Sequence, residues 1–183
     1  MNLFRSLTFI TFFLFSSTTF SQGKVNVEKS SFGWKAFKKI GSNHHGTIQL
    51  KSHTIDFKDG KIKSAKLVID MNSIDVTDLQ GKWKSKFLNH MKNEDFFNVP
   101  KFPTSTIEFK EIGKHFVGNL TIMGKTHPVK IKFKKKKSTY RGKFSFDRTK
   151  YGVIYNSDNF FKNLAGDRII NNDVHINFSL FII

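Results

Sequence analysis

The chain has 183 residues, no cysteine and a net charge of +17 at pH 7. The absence of cysteine excludes disulfide support and thiol chemistry, and the length suits one domain with a sizeable core. So strong a positive field favours anionic partners such as phosphate, lipid headgroups or acidic glycans, and says little about the fold.

Residues 1–21 have the order of a secretory signal. Arg5 is the only charge there, Leu7–Phe15 is a short apolar run, and Ser16–Ser21 is rich in small polar residues. The apolar run is too short to span a bilayer. Cleavage is expected before Gln22, leaving a single domain over residues 22–183 in the periplasm or outside the cell. Sixteen of the 22 phenylalanines belong to that domain.

Beyond the leader the dominant pattern is period-two alternation, which puts apolar side chains on one face of a strand. Val25–Glu28 and Phe32–Phe37 are short candidates. Ile55–Phe57 and Ile62–Met71 flank Asp59-Gly60, a hairpin signal. Asp78–Met91 breaks the pattern, placing Leu79, Trp83 and Phe87 on one face of a helix. Gly81 weakens its first turn. A dense joint follows: the helix runs into Asn93-Glu94-Asp95, Phe96 and Phe97 come next, and Pro100 and Pro103 force an extended path. This composition suits a hydrophobic cavity mouth and equally a packed core plug.

Thr104–Lys110, Phe116–Ile122 and His127–Phe133 are the next strands, the last two joined at Gly124-Lys125. Lys134–Lys137 with Ser138 reads as a solvated hairpin tip. Phe144 and Phe146 alternate with polar neighbours. Ser157–Leu164 carries the signal of a second short helix, and Val174–Ile182 alternates to the end. Eight to nine antiparallel strands with one wet face are enough to close an all-β barrel, carrying one or two short helices.

Catalytic signatures are scarce. There is no G-x-S-x-G turn. Gly118–Thr126 has five residues between its glycines and lies between strands, whereas a P-loop needs four and a helix N-terminus. His44 and His45 are adjacent on a strand and point to opposite faces, a poor chelate, and no H-E-x-x-H pattern occurs. Inward aromatics with outward lysines do not form the stacking grooves of nucleic-acid binders. The sequons at Asn119 and Asn177 fall within strands. A second joint holds Asp147-Arg148, Tyr151, Tyr155 and Phe160-Phe161; its tyrosines suit a mouth that is apolar on one side and wet on the other.

Several ordered blocks together resemble the YceI-like family of secreted barrel proteins. They are Phe32-Gly33-Trp34 before Gly46-Thr47-Ile48, Ile69–Ile74 with Asp78-Leu79, His90–Phe97, Lys101-Phe102-Pro103, Gly118–Gly124, and Asp147-Arg148 with Tyr151-Gly152. The resemblance covers nearly all of Lys24–Ile183. It implies an eight-stranded lipocalin-like barrel whose channel holds a polyisoprenoid chain, a periplasmic or secreted location and no established catalytic residue; the residues themselves suggest no cofactor or metal. The chain is more basic than the family pattern and has proline at position 100.

The expected function is therefore to bind an amphiphilic isoprenoid, a quinone or polyprenyl phosphate, for transport, storage or sequestration in the cell envelope. Trp34, Phe96, Phe97, Phe102, Phe160 and Phe161 are candidates for the apolar lining. His45, Tyr151 and Tyr155 are candidates for the headgroup. The protein would act as a monomer or homodimer. The alternative is a packed barrel whose basic face docks on an anionic membrane or polysaccharide surface. An enzyme acting on lipid headgroups is a third reading, without a visible nucleophile.

Overall fold

The computed structural model describes residues 21–183. The expected leader lies outside the described residues except for Ser21. The elements in chain order are β1 (Ser21–Gly23), β2 (Ser31–Lys38), β3 (Asn43–Lys58), β4 (Lys61–Val76), α1 (Gly81–Lys92), β5 (Thr104–Ile112), β6 (His115–Ile122), β7 (Lys125–Lys136), β8 (Thr139–Asp147) and β9 (Ile170–Phe181).

All pairings are antiparallel, in the order β1-β3-β2-β9-β8-β7-β6-β5-β4, and β3 also pairs with β4. That last pairing turns the eight strands β2–β9 into a closed barrel, and β1 adds to the far half of β3. Closure gives every strand from β2 to β9 a paired neighbour on both sides, although the β7–β8 seam is short, Phe133–Lys136 against Thr139–Gly142. β3 and β4 are long enough to bend around the barrel, helped by register shifts near Thr47, Leu50 and Asp56. At the seam Gly46 lies opposite Val76, and a Cβ there would strike the Asp75 carbonyl.

The two ends of the barrel differ. At one end the hairpins are tight. Asp59 and Gly60 both take positive φ (53° and 70°), the conformation that two-residue hairpins require. Rings fill this end: Phe116 lies 4.4 Å from Phe109 and 4.2 Å from Phe133, and Phe133 lies 5.2 Å from Tyr140. The Tyr140 hydroxyl donates to Glu111, and burial beside that carboxylate pushes its pKa up. Lys24–Asn26 runs along the last residues of β9 and covers the same end.

At the other end two of the connections are long. Residues 77–103 carry α1, and residues 148–169 join β8 to β9. α1 packs through Phe87, Leu88 and Met91. It starts at Gly81, so Leu79 lies outside it, and Trp83 is exposed; of the expected apolar face only Phe87 packs. Ser157–Leu164 is not a helix. The Phe160 and Phe161 amides both donate to the Ser157 carbonyl, and the chain then leaves the turn. Neither ring is buried, so no packed apolar face supports a helix there. Val25–Glu28 is likewise not a strand: only Val25 pairs, with Ile182. The β6–β7 turn is centred on Met123-Gly124, one residue earlier than expected.

His53 ties the N-terminal segment to the barrel. Its Nε2 accepts a hydrogen bond from the Val25 N–H at 2.9 Å, which requires a neutral ring. Burial lowers its pKa below the usual 6.5. The unfolded chain therefore takes up the proton first as pH falls. Stability from this group is intact above about pH 6.5, declines below it, and levels once the folded-state pKa is passed. Urea midpoints measured from pH 7.5 to 5 should fall, and His53→Gln, which can still accept the bond without titrating, should reduce that slope. An unchanged slope in the variant would assign the pH dependence elsewhere.

Candidate functional site

Alternation along the strands aims one side-chain set inward, and the inward set does not fill the barrel. A cavity of about 430 Å³ remains between the ring-packed end and the long connections. Its wall is built by Leu67, Ile69 and Met71 of β4, Ile107 of β5, Leu120 of β6 and Ile176 of β9, with facing residues of β2, β7 and β8. The interior is thus not packed solid.

Polar groups are few along the wall. The Ser105 hydroxyl donates to the Met71 Sδ at 3.1 Å. The other polar liners are Lys38, His44, His90, Arg148, Asn156 and Arg168. All belong to the end of β2, the start of β3, α1 or the 148–169 connection, so they mark the mouth.

The mouth has two lips. On one, Phe87 of α1 stacks on Trp34 (6.3 Å, 6° between planes) and meets His44 at 4.7 Å. Trp34 Nε1 donates to the Asp75 carbonyl at 3.1 Å, which fixes the indole. Asp78 receives the His45 N–H and the His44 ring nitrogen. Burial raises the Asp78 pKa, but these hydrogen bonds outweigh it and leave the carboxyl below its ordinary value.

On the other lip, His90, Phe96 and Tyr155 form a ring cluster with centroids 4.6–5.4 Å apart. The Asp95 N–H donates to Asn93 Oδ1, so the Asn93 amide nitrogen faces His90 Nδ1 at 3.3 Å. The same Nδ1 lies 4.0 Å from Asp95 Oδ2. Nε2 is buried against these rings with no hydrogen-bond partner.

Arg148 braces this lip. The residue is 2% exposed, and its guanidinium donates to the carbonyls of Val153 (2.7 Å), Ile170 (2.9 Å) and Asn171 (3.1 Å). Burial lowers its pKa to about 10 against the opposing pull of Asp147 and Asp158. Asp147 does not pair with Arg148; it accepts from the Thr149 amide and hydroxyl.

Four of the sequence-derived candidates line the cavity: Trp34, Phe96, Phe97 and Tyr155. Five do not. His45 points outward because its neighbour His44 points in, and its ring lies 3.7 Å from Asp78. Tyr151 is buried behind the wall, edge-on to Phe146 and His127. Phe102 packs near Gly124 of the β6–β7 turn. Phe160 and Phe161 are exposed, since their turn does not fold back over the opening. The residues missed were His44, His90, Arg148 and Arg168. Strand alternation distinguishes His44 from His45 once the inward phase is known; no local signal marks Arg168 as a wall residue. Among the described residues no group of three or more His, Cys, Asp or Glu is placed to hold a metal ion.

Replacing Arg148 with Met should leave three carbonyls without their donor. The expected cost is roughly 2–4 kcal/mol, with faster amide exchange in residues 153–171 than in β5–β7. Uniform loss of protection, or none, would contradict its role as a local brace.

The comparisons agree with this architecture. The model of the YceI-like domain matches residues 22–182. A UPF0312 protein of Pseudomonas aeruginosa is 35% identical over 88 residues, which span 45% of this chain and 43% of that protein. One from Yersinia pestis is 33% identical over the same coverage. The match thus spans less than half the length of these curated relatives. Among solved structures, Burkholderia cenocepacia BcnA superposes with a TM-score of 0.64 at 21% identity, over 87% of this chain and 99% of BcnA. The YceI protein of Campylobacter jejuni gives 0.51 at 19% identity, over 73% of this chain and 81% of its own. At these identities the structural likeness speaks for the fold. With the domain match running from β1 through β9, the chain belongs to the YceI-like family.

Proposed function

We propose that this protein is a non-enzymatic carrier of an amphiphilic isoprenoid, a quinone or polyprenyl phosphate, in the periplasm or outside the cell. The tail occupies the barrel and the oxygen-bearing headgroup lies at the mouth. The observation that carries this reading is the long apolar wall, opening at one end among His44, His90, Asn156 and Arg168. A cavity of about 430 Å³ falls in the usual range for small-molecule sites. Each buried methylene contributes about 0.8 kcal/mol, so a tail of ten carbons supplies roughly 8 kcal/mol before ordering costs. Micromolar affinity needs about that much net, and longer tails supply the surplus.

The test is titration with geranylgeranyl phosphate and, for comparison, hexadecyl phosphate. Ile69→Trp fills the cavity from β4 and should lower affinity for the isoprenoid by about tenfold or more while circular dichroism stays native. Unchanged affinity in the filled barrel would place the lipid elsewhere. Wild-type protein should favour the branched tail several-fold; equal binding would leave a general lipid carrier and remove the isoprenoid assignment.

A further inference from the structure

Large apolar side chains are exposed at seven places among the described residues. Four of them, Ile40, Trp83, Phe160 and Phe161, lie on the three segments around the mouth. Their exposures are 63%, 63%, 53% and 45%. Ile40 is the tip of the β2–β3 turn. Its side chain reaches the 148–169 connection, where it would lie 2.7 Å from a Cβ on Gly166. Lys39 fastens the same two segments through Asp158 at 2.7 Å. Trp83 lies one helical turn before Phe87, which forms the opposite lip.

These apolar groups are set among cations. α1 reads GKWKSKFLNHMK: four lysines and no acid in twelve residues. Of these, Lys84 is held by Asp75 and Lys92 donates to the Asn72 carbonyl, which leaves Lys82 and Lys86. Lys38, Lys39, Lys162 and Arg168 add charge across the opening, against Asp158 and Asp167. Among the described residues no other chain segment covers the rings, and Lys82 lies over the Trp83 ring at 6.0 Å. Aromatic side chains interleaved with lysines suit the headgroup zone of an anionic bilayer, where rings enter the interface and ammonium groups stay in the phosphate layer. A protein partner would need a matching acidic, apolar face. A polysaccharide would engage the lysines and leave the rings in water.

We propose that the rim of the mouth is a docking face for anionic membranes. Trp83, Phe160, Phe161 and Ile40 enter the interface, Lys82, Lys86 and Lys162 sit over lipid phosphates, and the cavity opens directly onto the bilayer. A tail then passes between lipid and barrel without crossing water. This inference rests on the exposed rim and not on the identity of the cargo, so it can fail or hold independently of the carrier reading.

The experiment is co-sedimentation of the purified, delipidated protein with phosphatidylcholine vesicles, with and without phosphatidylglycerol. Binding should require the anionic lipid and weaken with salt. Phe160→Ser with Phe161→Ser removes no charge and should reduce binding about tenfold. Replacing Lys134, Lys135 and Lys136 by Ser at the opposite end removes three charges and should change it less than about twofold. Brominated lipid should quench tryptophan fluorescence in wild type and several-fold less in Trp83→Phe, whose remaining Trp34 is buried on the cavity wall. Equal loss from the far lysines would reduce the effect to net charge and overturn the proposal. So would absent quenching, or retention on an acidic polysaccharide without vesicle binding.

Discussion

Closure of the sheet through the β3–β4 pairing is the constraint on which the rest depends. Without it β3 and β4 would each present a long unpaired edge, and their inward residues would face water. With it, every strand from β2 to β9 has a neighbour on both sides, and alternation is converted into an inside and an outside. The inside then divides by side-chain size. Large rings fill the tight-hairpin end, while aliphatic residues of β4, β5 and β6 leave space towards the long connections. The cavity is a consequence of that gradient within one closed sheet.

The mouth is made by parts that the barrel itself does not need. α1 lies between β4 and β5, and its Phe87 buttresses Trp34 on the inner wall. The β8–β9 connection is held by a buried guanidinium that satisfies three carbonyls at once. A buried charge without a carboxylate within ion-pair distance is costly, and here charge-assisted hydrogen bonds to backbone oxygens offset that cost. The result is a lip that is polar in its backbone and apolar at its rim. Charge is arranged in the same sense: alternation keeps lysines off the inner wall and distributes them over the outside and the mouth.

Period two made the strands legible from the sequence, because each inward residue is followed by an outward one. Leu67, Ile69 and Met71 were identifiable this way, and all three line the cavity. The Asp59-Gly60 hairpin was legible for a local reason, two consecutive positive φ angles. The connections were harder. Tyr151, Phe102, Phe160 and Phe161 stand in aromatic-rich joints that look like mouth residues, but ring composition does not fix where a loop turns. Alternation puts His44 and His45 on opposite faces but does not say which faces in, because the phase of β3 is set only by its pairing with β2 and β4. Arg148 was visible as part of a motif, yet its three acceptors lie up to 23 residues away.

The central claim, an isoprenoid held inside the barrel, is tested most directly by native mass spectrometry of the protein isolated from the cells that make it, with organic extraction of whatever it carries. The account predicts one lipid per barrel, with an isoprenoid tail and an oxygen-bearing headgroup. A barrel that arrives empty and takes up neither added quinones nor polyprenyl phosphates would contradict it.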